Sequence, residues 1–118
     1  MTEHVACQEA DLEAGKALRV ELKFESGLPH LVAVIRAKDG AFYAIDDTCT
    51  HGEVSLSEGD VLECEIECWA HGGRFDFRTG TATELPAIES VHAYPVRIDD
   101  GHVFVDIDSP LSPQKENA

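Results

Sequence analysis

Two short groups of metal-binding side chains stand near the middle of the chain: Cys49-Thr50-His51 and Cys68-Trp69-Ala70-His71, separated by sixteen residues and each followed at once by glycine. Thiolates and imidazoles are the side chains that bind zinc and iron most readily. Two of each can close a tetrahedral zinc site. They also match a two-iron, two-sulfur cluster in which one iron takes both cysteines and the other takes both histidines. Structural zinc sites favour Cys-x-x-Cys knuckles and longer His-x-x-x-His separations, so Cys-x-His and Cys-x-x-His fit the cluster better. Gly52, Gly72 and Gly73 suit loops whose backbone N–H groups must come close to bridging sulfides.

The rest of the chain sets bounds on that chemistry. Its 118 residues, 43% of them hydrophobic, fit one domain with a modest core. Twenty-three acids against nine bases give a formal charge of -14, which disfavours nucleic acid and anionic membrane surfaces and favours a partner that is basic where it docks. Leu31-Val32-Ala33-Val34-Ile35 is far too short to span a bilayer, and residues 1–12 carry acids where a signal peptide would be basic, so a cytoplasmic protein is expected. In that setting four cysteines indicate ligation rather than disulfides. Cys49 and Cys68 are then ligands, whereas Cys7 and Cys64 are read as structural. His4, His30, His92 and His102 have no cysteine or acid at ligand spacing and are read as ordinary surface or half-buried residues.

The elements that must position the ligands read as strands. Leu18, Val20, Leu22 and Phe24 alternate with charged residues. Residues 31–37 and 41–45 flank Lys38-Asp39-Gly40, and residues 91–98 and 102–107 flank Asp99-Asp100-Gly101, so two hairpins with Asp-Gly turns are expected. A short strand is expected from Val61 to Cys68. The fold class is therefore all-β, an antiparallel β sandwich or small barrel, with residues 47–79 as an inserted metal-binding subdomain. Residues 1–108 form the domain and Ser109 to Ala118 a mobile tail.

The motifs Cys-Thr-His-Gly at 49–52 and Cys-Trp-Ala-His-Gly-Gly-Arg-Phe-Asp at 68–76, with Gly80, Pro86-Ala87 and Tyr94-Pro95-Val96, resemble those of Rieske iron-sulfur proteins. Within that family the likeness is to the small soluble ferredoxins of bacterial aromatic-ring dioxygenase systems. The resemblance implies a Rieske-type [2Fe-2S] cluster with Cys49 and Cys68 on the inner iron, His51 and His71 on the outer iron, and Pro86-Ala87 in a shielding loop. It also implies a non-enzymatic, monomeric electron carrier between an NAD(P)H-dependent flavin reductase and a terminal oxygenase. The high-potential branch has a loop disulfide where this chain has Val54 and Ala70, and hydroxyls at positions that look like Gly73 and Phe75, so the resemblance implies a low potential. Two other readings remain open at this stage: a small subunit of a nitrite-reductase-like complex, and a zinc-stabilised interaction module. Trp69 either packs beneath the cluster or stands at the tip as a docking contact.

Overall fold

The structure is a computed structural model that describes residues 3–49, 54–70, 72–85 and 90–111. Its central sheet contains β2 (Lys16–Lys23), β3 (Pro29–Arg36), β4 (Phe42–Asp46) and β9 (Ala93–Tyr94), in that order and antiparallel throughout. Val32, Ala33, Val34 and Ile35 are all fully buried. Successive side chains of a strand point to opposite faces. Accordingly, Ala33 and Ile35 join one core while Val32 and Val34 join another. An uninterrupted apolar run is what a strand covered on both faces requires. The edge strand β2 alternates instead, because its Arg19, Glu21 and Lys23 face solvent.

One core lies between the central sheet and a terminal sheet of β1 (Glu3–Gln8), β11 (His102–Asp106) and β10 (Val96–Asp99). Cys7, Leu22, Val32, Val34, Tyr94, Val103 and Val105 fill it. The other core lies against a four-stranded sheet inserted between β4 and β9, made of β5 (Asp60–Val61), β6 (Glu65–Glu67), β7 (Arg74–Asp76) and β8 (Ala82–Glu84). Val61, Ile66 and Phe75 point inward from this sheet, and Asp60, Glu65, Glu67 and Asp76 alternate with them on its outer face. The all-β antiparallel architecture is the one the sequence leads to.

Several elements differ from the sequence reading. Residues 61–68 are two strands, because Val61 and Ile66 pair across a tight turn at Glu63-Cys64, closed by Leu62 N–H donating to the Glu65 carbonyl at 2.7 Å. The polar-apolar period continues on both sides of so short a turn, which hides it. The expected strand at 91–98 is divided at Pro95, where the chain passes from the central to the terminal sheet. Proline has no N–H for a ladder, so it suits a crossing point. In the β3–β4 hairpin only Gly40 has a positive φ, +96°, and the loop has three residues, with Asp39 Oδ1 accepting from Ala41 N–H at 3.0 Å. Asp100 and Gly101, at φ 53° and 78°, form the two-residue turn with two positive dihedrals. β1 was not anticipated, since Cys7 is its one buried residue. Beyond β11, Leu111 N–H donates to the Ala93 carbonyl at 2.7 Å on the edge of the central sheet.

Candidate metal centre

Cys49 follows the end of β4, and Cys68 follows the end of β6, so two sheets deliver the two thiols. Both side chains are buried, at 2% and 1% exposure, in the same core as Leu56, Ile66, Phe75, Phe77 and Val91. Neither is in a disulfide. The two cysteines also share a backbone arrangement. Cys49 N–H donates to the Val54 carbonyl at 3.0 Å, and Cys68 N–H donates to the Gly73 carbonyl at 2.6 Å. Each cysteine therefore opens a segment whose ends are tied together five residues later. Gly72 N–H adds a bond to the Cys68 carbonyl at 3.0 Å, with Gly72 at φ +81°, a conformation that β-carbons disfavour. His51 and His71, together with Gly52 and Pro86-Ala87, lie outside the described residues.

Two adjacent acids that the sequence reading did not single out precede the first segment, and one of them anchors it. Asp47 is 1% exposed; its carboxylate accepts from Ser55 Oγ at 2.6 Å and Ser57 N–H at 2.9 Å. Its backbone N–H donates to the Leu31 carbonyl and its carbonyl accepts from Leu56 N–H. An isolated bridge between Thr48 and Ser55 adds to this closure. Asp46 faces the opposite way. Its Oδ1 receives the Tyr94 hydroxyl and lies 2.6 Å from His30 Nε2, while its Oδ2 accepts from His92 N–H at 2.9 Å. Two histidines read as ordinary surface or half-buried residues thus share a carboxylate through strand pairing, which brings β3, β4 and β9 side by side. Burial, and then the bond to Asp46 and its charge, raise the Tyr94 phenol above its ordinary range.

Trp69 is 56% exposed, which places it at the surface beside Cys68. Val54 and Ala70 pack against the core that holds both cysteines, and Phe75 is fully buried within it. Cys7 is buried in the other core, where burial, aided by the charge of Asp11, pushes its thiol up. That is the environment of an inert structural cysteine. On the outer face of the inserted sheet, Asp60 pairs in register with Glu67, and Glu65 with Asp76. Facing like charges repel. Arg74, 3.6 Å from Glu67 and 3.9 Å from Glu65, and Arg78, 2.8 Å from Asp76, partly offset them.

These features fit an iron-sulfur cluster: two buried cysteines in one apolar core, each at the mouth of a backbone-tied segment that contains a histidine in sequence. Comparison with known proteins agrees. The model of the Rieske [2Fe-2S] domain matches residues 2–95. The ferredoxin component of the p-cumate 2,3-dioxygenase system of Pseudomonas putida is 43% identical over 102 residues, covering 86% of this chain and 82% of that protein. The Sphingomonas yanoikuyae B1 ferredoxin superposes with a TM-score of 0.78 at 34% identity, covering 89% of this chain and 98% of that one. A chain from the complex of reduced oxygenase and oxidised ferredoxin in carbazole 1,9a-dioxygenase gives 0.75 at 36% identity, covering 87% and 91%. The chain belongs to the Rieske [2Fe-2S] domain family. It is a ferredoxin, an electron-transfer component with a Rieske-type cluster rather than an enzyme in its own right.

Proposed function

We propose that Cys49 and Cys68 bind the inner iron and His51 and His71 the outer iron of the cluster, and that the protein carries single electrons from an NAD(P)H-dependent flavin reductase to a terminal aromatic-ring oxygenase. The observation that carries the ligand assignment is the matched placement of the two buried cysteines, each tied by its own N–H to a carbonyl five residues on. When bound, the cluster accepts and releases one electron at a time. The protein residues do the rest. The backbone ties fix where each thiol enters the core, and Leu56, Ile66, Phe75 and Val91 exclude water around them. Exposed Trp69 offers an apolar contact next to the second ligand segment, while the surrounding acids favour a basic partner face. Relatives that are components of dioxygenase systems, and the solved ferredoxin–oxygenase complex, support the oxygenase as the acceptor. No helix among the described residues is long and apolar enough to cross a membrane. In this reading the carrier works as a cytoplasmic monomer, with residues 47–79 as its cluster-binding subdomain within a domain of residues 1–108.

Low-temperature electron paramagnetic resonance of the dithionite-reduced protein tests the reading. The expected signal is of the Rieske type, distinct from that of an all-cysteine cluster, since nitrogen ligation makes the two irons unequal. A silent protein with one zinc per chain refutes it.

A further inference from the structure

We propose that Asp47 is a positioning residue for the first ligand segment and that its buried carboxylate holds down the reduction potential of the centre. The inference rests on the Rieske reading above and concerns a residue outside its ligand set. Asp47 and Asp106 are the only charged side chains buried among the described residues. Asp106 belongs to β11 in the terminal sheet. Asp47 precedes Cys49 by two residues, so their Cα atoms are at most about 7.6 Å apart.

The bonds around Asp47 account for the positioning. Its carboxylate gathers Ser55 and Ser57, its carbonyl receives Leu56 N–H at 2.6 Å, and its N–H fixes the strand end to Leu31 at 3.1 Å. These contacts fall on both sides of the Cys49–Val54 tie and close it from outside. A buried carboxylate needs such donors to remain in place.

Its charge accounts for the potential. None of the described residues forms an ion pair with Asp47. Arg19 lines the same pocket, about 330 Å³ in volume, without forming an ion pair with Asp47. Adding an electron near a fixed negative charge is unfavourable. At roughly 10 Å and an effective dielectric constant of about 20, the repulsion changes the one-electron reduction equilibrium by on the order of tenfold. That factor corresponds to about 59 mV for a one-electron couple.

The test is protein-film voltammetry of the cluster-loaded full chain, with visible absorption and paramagnetic resonance recorded on the same samples. Asp47→Asn removes the charge and can keep the geometry: its amide oxygen accepts from Ser57 N–H, its amide nitrogen donates to Ser55 Oγ, and the Ser55 hydroxyl turns to Ser57 Oγ, 2.7 Å away. The expected result is an unchanged cluster spectrum with the equilibrium shifted toward the reduced form by roughly tenfold. Ser55→Ala is expected to move it the other way, because a donor that offsets the carboxylate is lost. Asp60→Asn, on the exposed face of the inserted sheet, is expected to leave it unchanged. A midpoint of Asp47→Asn equal to that of the parent overturns the proposal. If that variant fails to take up a cluster, a Ser55→Ala midpoint that is unchanged or raised overturns it equally. Absence of a cluster from the parent protein refutes the Rieske reading itself, a separate outcome.

Discussion

The carboxylate of Asp46 ties β3, β4 and β9 of the central sheet together just before the first ligand segment, and replacing Tyr94 with Phe measures that tie. Tyr94 is 5% exposed and donates its hydroxyl to Asp46 Oδ1, with His30 Nε2 3.2 Å away. Asp46 keeps His30 and His92 when the hydroxyl is removed, so no carboxylate is left bare. A hydrogen bond to a charged group contributes about 1.5–3 kcal/mol, and a loss near 2 kcal/mol is expected for Tyr94→Phe at pH 8. The pH dependence makes the prediction specific. Burial and Asp46 raise the phenol's pKa in the folded state. A raised pKa contributes stability that is complete below the unfolded value, about 10 for tyrosine, and declines as pH rises above it. By pH 11 the unfolded chain has released most of this proton and the folded chain has not, which, relative to pH 8, removes about 1.4 kcal/mol from the parent and nothing from the variant. Urea unfolding of the cluster-loaded proteins under nitrogen is therefore expected to show a gap of about 2 kcal/mol at pH 8 that falls below about 1 kcal/mol at pH 11. An equal gap at both pH values refutes the reasoning, since it would mean that the Tyr94 phenol ionises alike in both states.

Four further outcomes are expected. Cys49→Ser and Cys68→Ser should each abolish the visible absorbance and the bound iron, and full absorbance in either variant would remove that residue from the ligand set. Phe75→Tyr should raise the midpoint potential, because the ring is fully buried in the core of both cysteines and a hydroxyl there can donate toward the cluster; voltammetry showing no rise would mean that position 75 faces elsewhere. Gly80→Ala should lower the urea midpoint strongly: φ is +85° and a Cβ would stand 2.0 Å from the Val91 carbonyl oxygen, so the conformational cost of about 1–2 kcal/mol is increased by a backbone clash. Electron delivery from the reductase in stopped flow should slow with salt, given the charge of -14 and screening within roughly 8 Å at about 0.15 M; a rate flat in salt, with a large loss in Trp69→Ala, would point to apolar docking instead.

How much was legible in the sequence depended on whether a feature is set by near neighbours or by distant pairing. Residues 31–37 read as a hairpin strand, and burial of Val32 to Ile35 on two faces is the reason their run is unbroken; Leu18, Val20, Leu22 and Phe24 read as a strand with one buried face because charged residues alternate with them. Cys49 and Cys68 stood out because metal chemistry needs particular side chains at short spacing, and the structure buries both in one core. Pro95 was visible as a residue, but its place between two sheets follows from Ala93 pairing with β4 while Val96 pairs with β11. The turn inside residues 61–68 left no mark either. Glu63 and Cys64 are not typical turn residues, and neither has a positive φ.

The Asp46-Asp47 pair shows the same division within three residues of a ligand. From sequence alone these are two more acids in a chain with twenty-three, where solvation of a surface is the ordinary role. Their partners are brought by the fold: His30 lies sixteen positions before Asp46, and His92 and Tyr94 lie forty-six and forty-eight after it. Strand direction then separates the two. Ile45 lies at 0% exposure on the face of the cysteine core, so Asp46 points to the other face, where β3 and β9 supply His30 and Tyr94. Asp47 lies just past the end of β4, where the Ser55-Leu56-Ser57 segment returns to meet it. One acid thus fastens the central sheet and the other fastens the ligand segment. Reversing either charge would test a different part of the protein, although the sequence presents them as a single polar dipeptide before Cys49.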